Sequence, residues 1–263
     1  MNRRNYPKEL DKTLEIWSRE HEGRPSLLLH CCCGPCSGGV LEYLAERFDV
    51  TVFWYNPNIY PAEEFELRLA TLKELIGKMG LSDRVGFIET EYRPEEYYAA
   101  VKGLETEPEG GARCAQCFRL RLEETALVAK EKKFDFFCST LTVSRHKNAV
   151  VINALGENAA EKYGGTTMNR IFRTEADRRR LSFRKKAETE IREEDHVTAG
   201  QEIWKESEGF SRPVWLPSEF KRRGGEDRSR ELAEEYGLYR QVYCGCEFSY
   251  KSREENSCSI RNI

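Results

Sequence analysis

The sequence holds no apolar run approaching the roughly 20 residues that a membrane-spanning helix needs. No membrane-embedded function is therefore expected. Met1 to Pro25 is polar and lacks the apolar core of a secretion signal. A cytoplasmic location, where thiols stay reduced, is the expectation. An excess of one charge sign is also missing: 42 Lys and Arg stand against 45 Asp and Glu, a formal net charge of −3. A near-neutral total can hide a basic face, so a polyanionic partner is not excluded. There is no internal repeat. At 263 residues the chain can bury one sizeable core, or one core plus an appendage.

What the sequence does have is cysteine, ten in all. In a reducing compartment this favours metal binding or redox catalysis over a disulfide framework. The densest stretch is His30-Cys31-Cys32-Cys33-Gly34-Pro35-Cys36, straight after Leu27-Leu28-Leu29. Two further clusters echo it, Cys114-Ala-Gln-Cys117 and Cys244-Gly-Cys246. Cys138 sits in an apolar run and reads as a buried small hydrophobe; Cys258 lies in a polar tail.

The hydrophobic pattern alternates strands with helices. Ser26–Cys32, Asp49–Tyr55, Val85–Ile88 and Phe134–Ser139 read as strands. Residues 1–24, Ser37–Arg47, Pro61–Met79, Pro94–Val101, Cys114–Lys130, His146–Tyr163 and Arg228–Tyr236 read as helices, with Gly237 as a C-cap. No tight hairpin joins the strands, which argues for a parallel sheet covered on both faces. Ligands in such folds sit beyond the carboxyl ends of the strands. The first strand ends at the cysteine cluster and the fourth at Cys138-Ser139-Thr140. The segment 165–210 departs from this pattern, with ten basic and ten acidic residues and few apolar anchors. It reads as a solvated, ion-paired helix, or as an arm whose basic half meets a phosphate backbone. The core resumes at Pro213-Val214-Trp215-Leu216.

Cys114-x-x-Cys117 opens a helix, where the dipole favours thiolate and Arg113 adds positive charge. Alone, the pair suits a redox couple, half a zinc site or half an iron–sulfur site. The adjacent pair Cys32-Cys33 shifts the balance. Zinc sites prefer gaps of two to four residues, and neighbouring cysteines crowd one tetrahedral ion. A cubane spreads its ligands over separate irons. Cys32, Cys33, Cys114 and Cys117 thus fit a 4Fe-4S cluster better than one zinc. Strand alternation turns Cys31 away. Cys244-Gly-Cys246 could form a strained, easily reduced disulfide, or hold a second metal with Cys36 as third ligand. Ser37-Gly38-Gly39 resembles the start of a pyrophosphate loop, but Leu41 and Glu42 stand where Asp and Ser belong, so ATP binding is not expected.

Assembled, these residues resemble the QueH-type epoxyqueuosine reductases. Three blocks carry the resemblance. They are Leu-His-Cys-Cys-Cys-Gly-Pro-Cys-Ser at 29–37, Arg-Cys-Ala-Gln-Cys-Phe-Arg-Leu-Arg-Leu-Glu-Glu-Thr-Ala at 113–126 running on to Phe-Cys-Ser-Thr-Leu at 137–141, and Leu-Pro-Ser-Glu-Phe-Lys at 216–221 with Gly-Leu-Tyr-Arg-Gln-Val-Tyr-Cys-Gly-Cys-Glu-Phe-Ser at 237–249. The resemblance implies an α/β, Rossmann-like fold of the adenine-nucleotide-alpha-hydrolase kind. It implies reductive removal of the epoxide oxygen of epoxyqueuosine at the tRNA wobble position, giving queuosine. Cys32, Cys33, Cys114 and Cys117 match the family's cluster cysteines, and Cys244 and Cys246 its redox-active or second-metal pair. A mononuclear iron or other metal at Cys36, Cys244 and Cys246 would be the second centre. The organisation expected is an N-terminal helical extension (1–25), one α/β catalytic domain (26–250) with the charged helical insertion at about 165–210, and a C-terminal tail (251–263).

The expected partners are epoxyqueuosine-bearing tRNA and an electron donor. Arg119, Arg121, Arg145, Lys147, Lys221, Arg222, Arg223 and Arg240 are the basic residues expected near the site rim, and Tyr239, Tyr243 and Glu247 the candidate proton donors. The rival readings are an iron–sulfur-dependent tRNA thiolase, which would need the missing Asp-Ser, and a non-enzymatic zinc-stapled RNA-binding module.

Overall fold

The computed structural model describes residues 4–167 and 212–260. From residue 168 onward, the charged insertion expected at about 165–210 lies outside them. Five strands, β1 (Ser26–His30), β2 (Asp49–Trp54), β3 (Gly86–Glu89), β4 (Phe136–Ser139) and β5 (Val214–Trp215), form one parallel sheet in the order β3-β2-β1-β4-β5. Four were expected from the pattern. The fifth is two residues long, too short to carry a period, and sits where the core was expected to resume. It pairs Val214 with Phe136 and Trp215 with Phe137.

Leu27, Leu28 and Leu29 are all fully buried. Successive strand residues face opposite ways, so three buried in a row mean that both faces are covered. Each such leucine contributes roughly 1.5–3 kcal/mol of apolar burial. The helices are α1 (Tyr6–Glu20), α2 (Gly38–Leu44), α3 (Ala62–Lys78), α4 (Pro94–Ala100), α5 (Ala112–Glu131), α6 (Ala149–Lys162), α7 (Gly225–Glu235) and α8 (Glu247–Ile260). The segment 251–263, expected as a tail, is helical through Ile260.

The N-terminal helix belongs to the core. Leu10 and Trp17 join the main hydrophobic cluster, and Trp17 meets Phe136 edge-on with ring centroids 5.4 Å apart. Arg4 ties α1 to α6, donating to Glu9 at 2.6 Å and Glu157 at 2.8 Å. Gly237 follows α7 at φ +60°, a left-handed conformation suited to glycine, and Leu238 N–H then closes onto the Ala233 carbonyl at 2.9 Å.

Two close contacts set the surroundings of the first cysteine loop. A Cβ on Gly39 would lie 2.8 Å from the Gly225 carbonyl oxygen, and one on Gly38 3.0 Å from Leu232. The glycines of Ser37-Gly38-Gly39 therefore let α2 approach α7. A Cβ on Gly34 would lie 2.9 Å from the Thr71 carbonyl oxygen, so the cysteine loop lies directly against α3. The strand order reverses between β1 and β4. That opens a crevice at their carboxyl ends, where open α/β sheets bind ligands.

Candidate metal and redox site

The crevice is walled by the loop after β1. Cys31 N–H continues the ladder to the Phe53 carbonyl at 3.1 Å, and its side chain points into the main core. From there the chain turns: Ser37 N–H donates to the Gly34 carbonyl at 2.8 Å, and Ser37 Oγ to the Cys33 carbonyl at 2.7 Å. The turn folds Cys36 back onto Cys33. Their sulfurs are in bonding contact across a Cα separation of 5.6 Å. The sulfurs of Cys32, Cys33 and Cys36 all lie within 4.8 Å of one another. Three converging sulfurs with no hard oxygen donor among them suit iron–sulfur or another thiophilic metal.

The second group forms around the start of α5. Cys114 lies in its first turn, where its sulfur accepts the Gly110 N–H at 3.2 Å. Cys117 sits one turn on and is buried with Cys246, Tyr97 and Val101 in a small separate cluster. Burial, then the sulfurs of Cys246 and Cys117, raises the pKa of the Tyr97 hydroxyl packed among them. The third cysteine block is thus laid onto the second, although 127 residues separate Cys117 from its start at Cys244.

Arg121 stands between the two groups and is 3% exposed. Its Nη1 lies 3.9 Å from the Cys117 sulfur, Nη2 donates to Asn56 Oδ1 at 2.8 Å, and Nε donates to His30 Nε2 at 3.3 Å. His30 Nδ1 faces Ser139 Oγ at 2.8 Å, and its Nε2 also lies 3.2 Å from the Tyr55 carbonyl oxygen. Burial, then the Arg121 charge, holds the His30 pKa well below its ordinary value. Asn56 completes the network by donating to the Cys31 carbonyl at 2.9 Å.

These surroundings treat the sulfurs unequally. Burial alone would raise the Cys32 thiol, but Arg121, Lys147, Arg68 and the Thr140 hydroxyl outweigh it and hold the pKa below the usual thiol value. Cys117 goes the other way: burial pushes it up to about 12, against Arg121. Cys114 is also raised, by burial and then by Cys244 and Cys246, against the Gly110 N–H. The expectation that the helix start favours thiolate at this pair is therefore not met. Desolvation wins over the dipole because Cys117 is buried and two more thiols sit nearby. Arg113 does not serve as a free charge beside them; it donates to the Glu105 carbonyl at 2.7 Å and lies over the Phe248 ring.

The segment carrying Cys244 is held by α3. Arg68, 2% exposed, donates to Glu64 at 2.7 Å, to the Cys244 carbonyl at 3.2 Å and to the Tyr243 carbonyl at 3.3 Å. Tyr239 donates its hydroxyl to both Glu64 oxygens, at 3.0 and 2.8 Å. Gln241 reaches the other way and donates to the Cys33 sulfur at 2.9 Å. Beside Cys36 and Gln241 opens a cleft of about 510 Å³, lined also by Arg145, His146, Arg230 and Arg240.

Of the residues expected to work together, the structure gathers Cys32, Cys33 and Cys36 in one group and Cys117 and Cys246 in the other, with Cys244 and Cys246 close enough to raise the thiols of both Cys114 and Cys117. Among the expected rim cations, Arg145 and Arg240 line the cleft. Half-buried Lys147 faces Cys244 and Cys32, whose charges raise its pKa against the lowering by burial. Arg121 is in the interior, Arg222 pairs with Glu219, and Arg223 turns to Asp11 on α1. Among the expected proton donors, Tyr243 donates to the Tyr60 carbonyl, and Glu247 accepts from Tyr98 at 2.8 Å and Lys251 at 2.5 Å. Arg68, Glu64, Asn56 and Tyr97 escaped notice in the sequence, and His30 and Gln241 were read only as members of their motifs, without a role of their own. The one local signal among the buried polar groups was the four-residue spacing Cys117, Arg121, Thr125, Ala129, which puts Arg121 on the buried stripe of α5.

Known proteins resemble this chain over most of its length. A family model described as "Epoxyqueuosine reductase QueH" matches residues 27–192 and 189–252. The epoxyqueuosine reductase QueH of Streptococcus pyogenes serotype M1 is 36% identical over 249 residues, which is 94% of this chain and 78% of that protein. Its namesake from Staphylococcus epidermidis is 35% identical over 251 residues, 93% of this chain and 84% of the relative. That from Thermotoga maritima is 29% identical over 238 residues, 89% of this chain and 95% of the relative.

Proposed function

This chain belongs to the epoxyqueuosine reductase QueH family, an oxidoreductase family acting on tRNA, and from that premise we propose how its cysteines divide the reaction. Cys32, Cys33, Cys114 and Cys117 hold a 4Fe-4S cluster. Cys244 and Cys246 work beside the epoxide, either as a redox dithiol or, with Cys36, as ligands of a second metal. When bound, the cluster supplies electrons one at a time. The observation that carries the reading is the burial of Cys246 against Cys117, which sets the C-terminal pair beside a cluster cysteine.

The balance of the reaction suits a dithiol. Both C–O bonds of the epoxide break, a C=C bond forms, and the oxygen leaves as water, consuming two electrons and two protons. Oxidation of Cys244 and Cys246 to a disulfide releases two of each, and an external electron donor then restores the thiols. Arg68 fixes the carbonyls of Tyr243 and Cys244, so the pair keeps its position through the cycle. Cys33 and Cys36 must part in the loaded protein, because a sulfur in a disulfide offers no thiolate. The cleft beside Cys36 receives the splayed wobble nucleoside, with Arg145, Arg230 and Arg240 toward its phosphates.

The test is Cys244→Ser. Deoxygenation of epoxyqueuosine-bearing tRNA is expected to be abolished while the broad absorption near about 400 nm, typical of thiolate-bound clusters, persists. Full activity in this variant would sink the proposal. Iron, sulfide and zinc quantification after anaerobic purification separates it from the zinc-stapled module, which requires stoichiometric zinc and no iron.

A further inference from the structure

Arg121 is a full positive charge in the interior, and its company is unusual. At 3% exposure, an arginine normally pairs with a carboxylate, because an uncompensated buried charge is strongly destabilising. Its hydrogen-bond partners here are a neutral histidine, an asparagine carbonyl and the Cys117 sulfur. The groups whose negative charge would act most strongly on it are sulfurs, those of Cys117, Cys32 and Cys244. No ion pair among the described residues gives it an acidic partner.

The positioning is over-determined. His30 ends β1, Asn56 follows β2, Ser139 ends β4 and Arg121 lies on α5. The chain Ser139–His30–Arg121–Asn56–Cys31 carbonyl therefore ties three strand ends to the helix that carries Cys117. All but one of its members are neutral. The network holds one charge at one point, between a cysteine of the first loop and cysteines of the second and third blocks.

We infer that Arg121 is the built-in counter-charge of the redox centre, a positioning residue that stabilises its more negative, reduced state and so raises its reduction potential. The inference rests on the assignment of Cys32 and Cys117 as ligands. The physical reason is direct. Each electron taken up adds a negative charge, and a fixed cation in a low-dielectric interior favours the form with more negative charge. The same charge offsets the thiolates that must form when metal binds. Arg121 is thereby separated from the rim arginines that meet RNA phosphates.

The test compares Arg121→Gln with Arg121→Lys in the full chain, reconstituted anaerobically. Measured are iron per chain and the midpoint potential of the cluster by spectroscopic redox titration. Arg121→Gln is expected to lower the midpoint potential, and Arg121→Lys to restore most of the shift. If Arg121→Gln loses iron altogether, retention by Arg121→Lys supports the charge. Loss from both, equally, assigns the residue to packing and overturns the inference. An iron-loaded Arg121→Gln protein with an unshifted potential overturns it too. Failure of the ligand assignment shows differently: Cys32→Ser and Cys117→Ser would then keep full iron.

Discussion

Gln241 places its side-chain nitrogen 2.9 Å from the sulfur of Cys33 and 3.4 Å from that of Cys36. One amide from the C-terminal block thus spans both sulfurs of the N-terminal loop, 205 residues away in sequence from Cys36. Hydrogen bonds to ligand atoms orient them and tune the metal, and losing such a partner typically costs about 10–100-fold in metal affinity or activity. Gln241→Leu keeps the bulk and removes the donor. Iron retention against a chelator, or turnover, is expected to fall by roughly tenfold or more. Wild-type iron retention and turnover together would show that the contact is incidental.

Gly245 joins the two cysteines of the third block at φ +134°, a backbone conformation that favours glycine. A Cβ there would also lie 3.0 Å from Arg68 Nη1. Arg68 cannot retreat without releasing the Cys244 carbonyl or Glu64. Gly245→Ala is therefore expected to destabilise the fold by about 1–3 kcal/mol, the usual range for a side chain forced into such a conformation. Turnover should fall further than stability requires, because the displaced groups are Cys244 and Cys246. Denaturant titration and tRNA assay on the same preparation check this. Unchanged midpoint and unchanged turnover would count against it.

His30 gives the pH dependence. Burial, then Arg121, lowers its folded pKa well below that of an unfolded histidine. The unfolded state then binds the extra proton first. Stability from this group is fully present above the unfolded value of about 6.5 and is lost as pH falls below it. The loss approaches about 1.4 kcal/mol per pH unit until the folded pKa is reached. The metal-free chain should show this slope in urea titrations between about pH 6.5 and 5. His30→Gln should flatten it, whatever its effect at neutral pH. Parallel curves for the two proteins would exclude His30 as the source.

Much of the fold was legible from periodicity. β1 to β4 and the helices between them follow from apolar residues at strand or helix spacing, because the core demands those spacings. β5 escaped as a strand because two residues carry no period, although Trp215 announced a core position. α8 was missed as a whole because the residues after 250 are polar and leave no stripe to read. The site divides in the same way. Cysteine clusters are visible because like residues stand together in sequence. Arg68, Gln241 and Asn56 are not, because each acts through one tertiary contact that local spacing does not encode. Arg121 was misplaced on the rim for a simpler reason. Arginine is usually exposed, and the spacing from Cys117 to Arg121 to Thr125 pointed inward against that habit.

The cleft beside Cys36 offers a measurable prediction about RNA. Arg230 and Arg240 line it, and both are about half exposed. In the free protein they pair with Asp227 at 3.2 Å and Glu234 at 3.3 Å. Exposed pairs of this kind contribute about 0–1 kcal/mol, so they are readily exchanged for phosphate contacts. Replacing either arginine by alanine should weaken tRNA binding without changing which wobble nucleoside is preferred. Each lost contact to a single-stranded loop should also reduce the slope of log affinity against log salt by about 0.7. Binding titrations at several salt concentrations read this directly. A double variant with the wild-type slope would place the RNA elsewhere. A double variant with the expected slope but unchanged turnover at saturating tRNA would show that these residues hold the substrate and leave the chemistry to the cysteines.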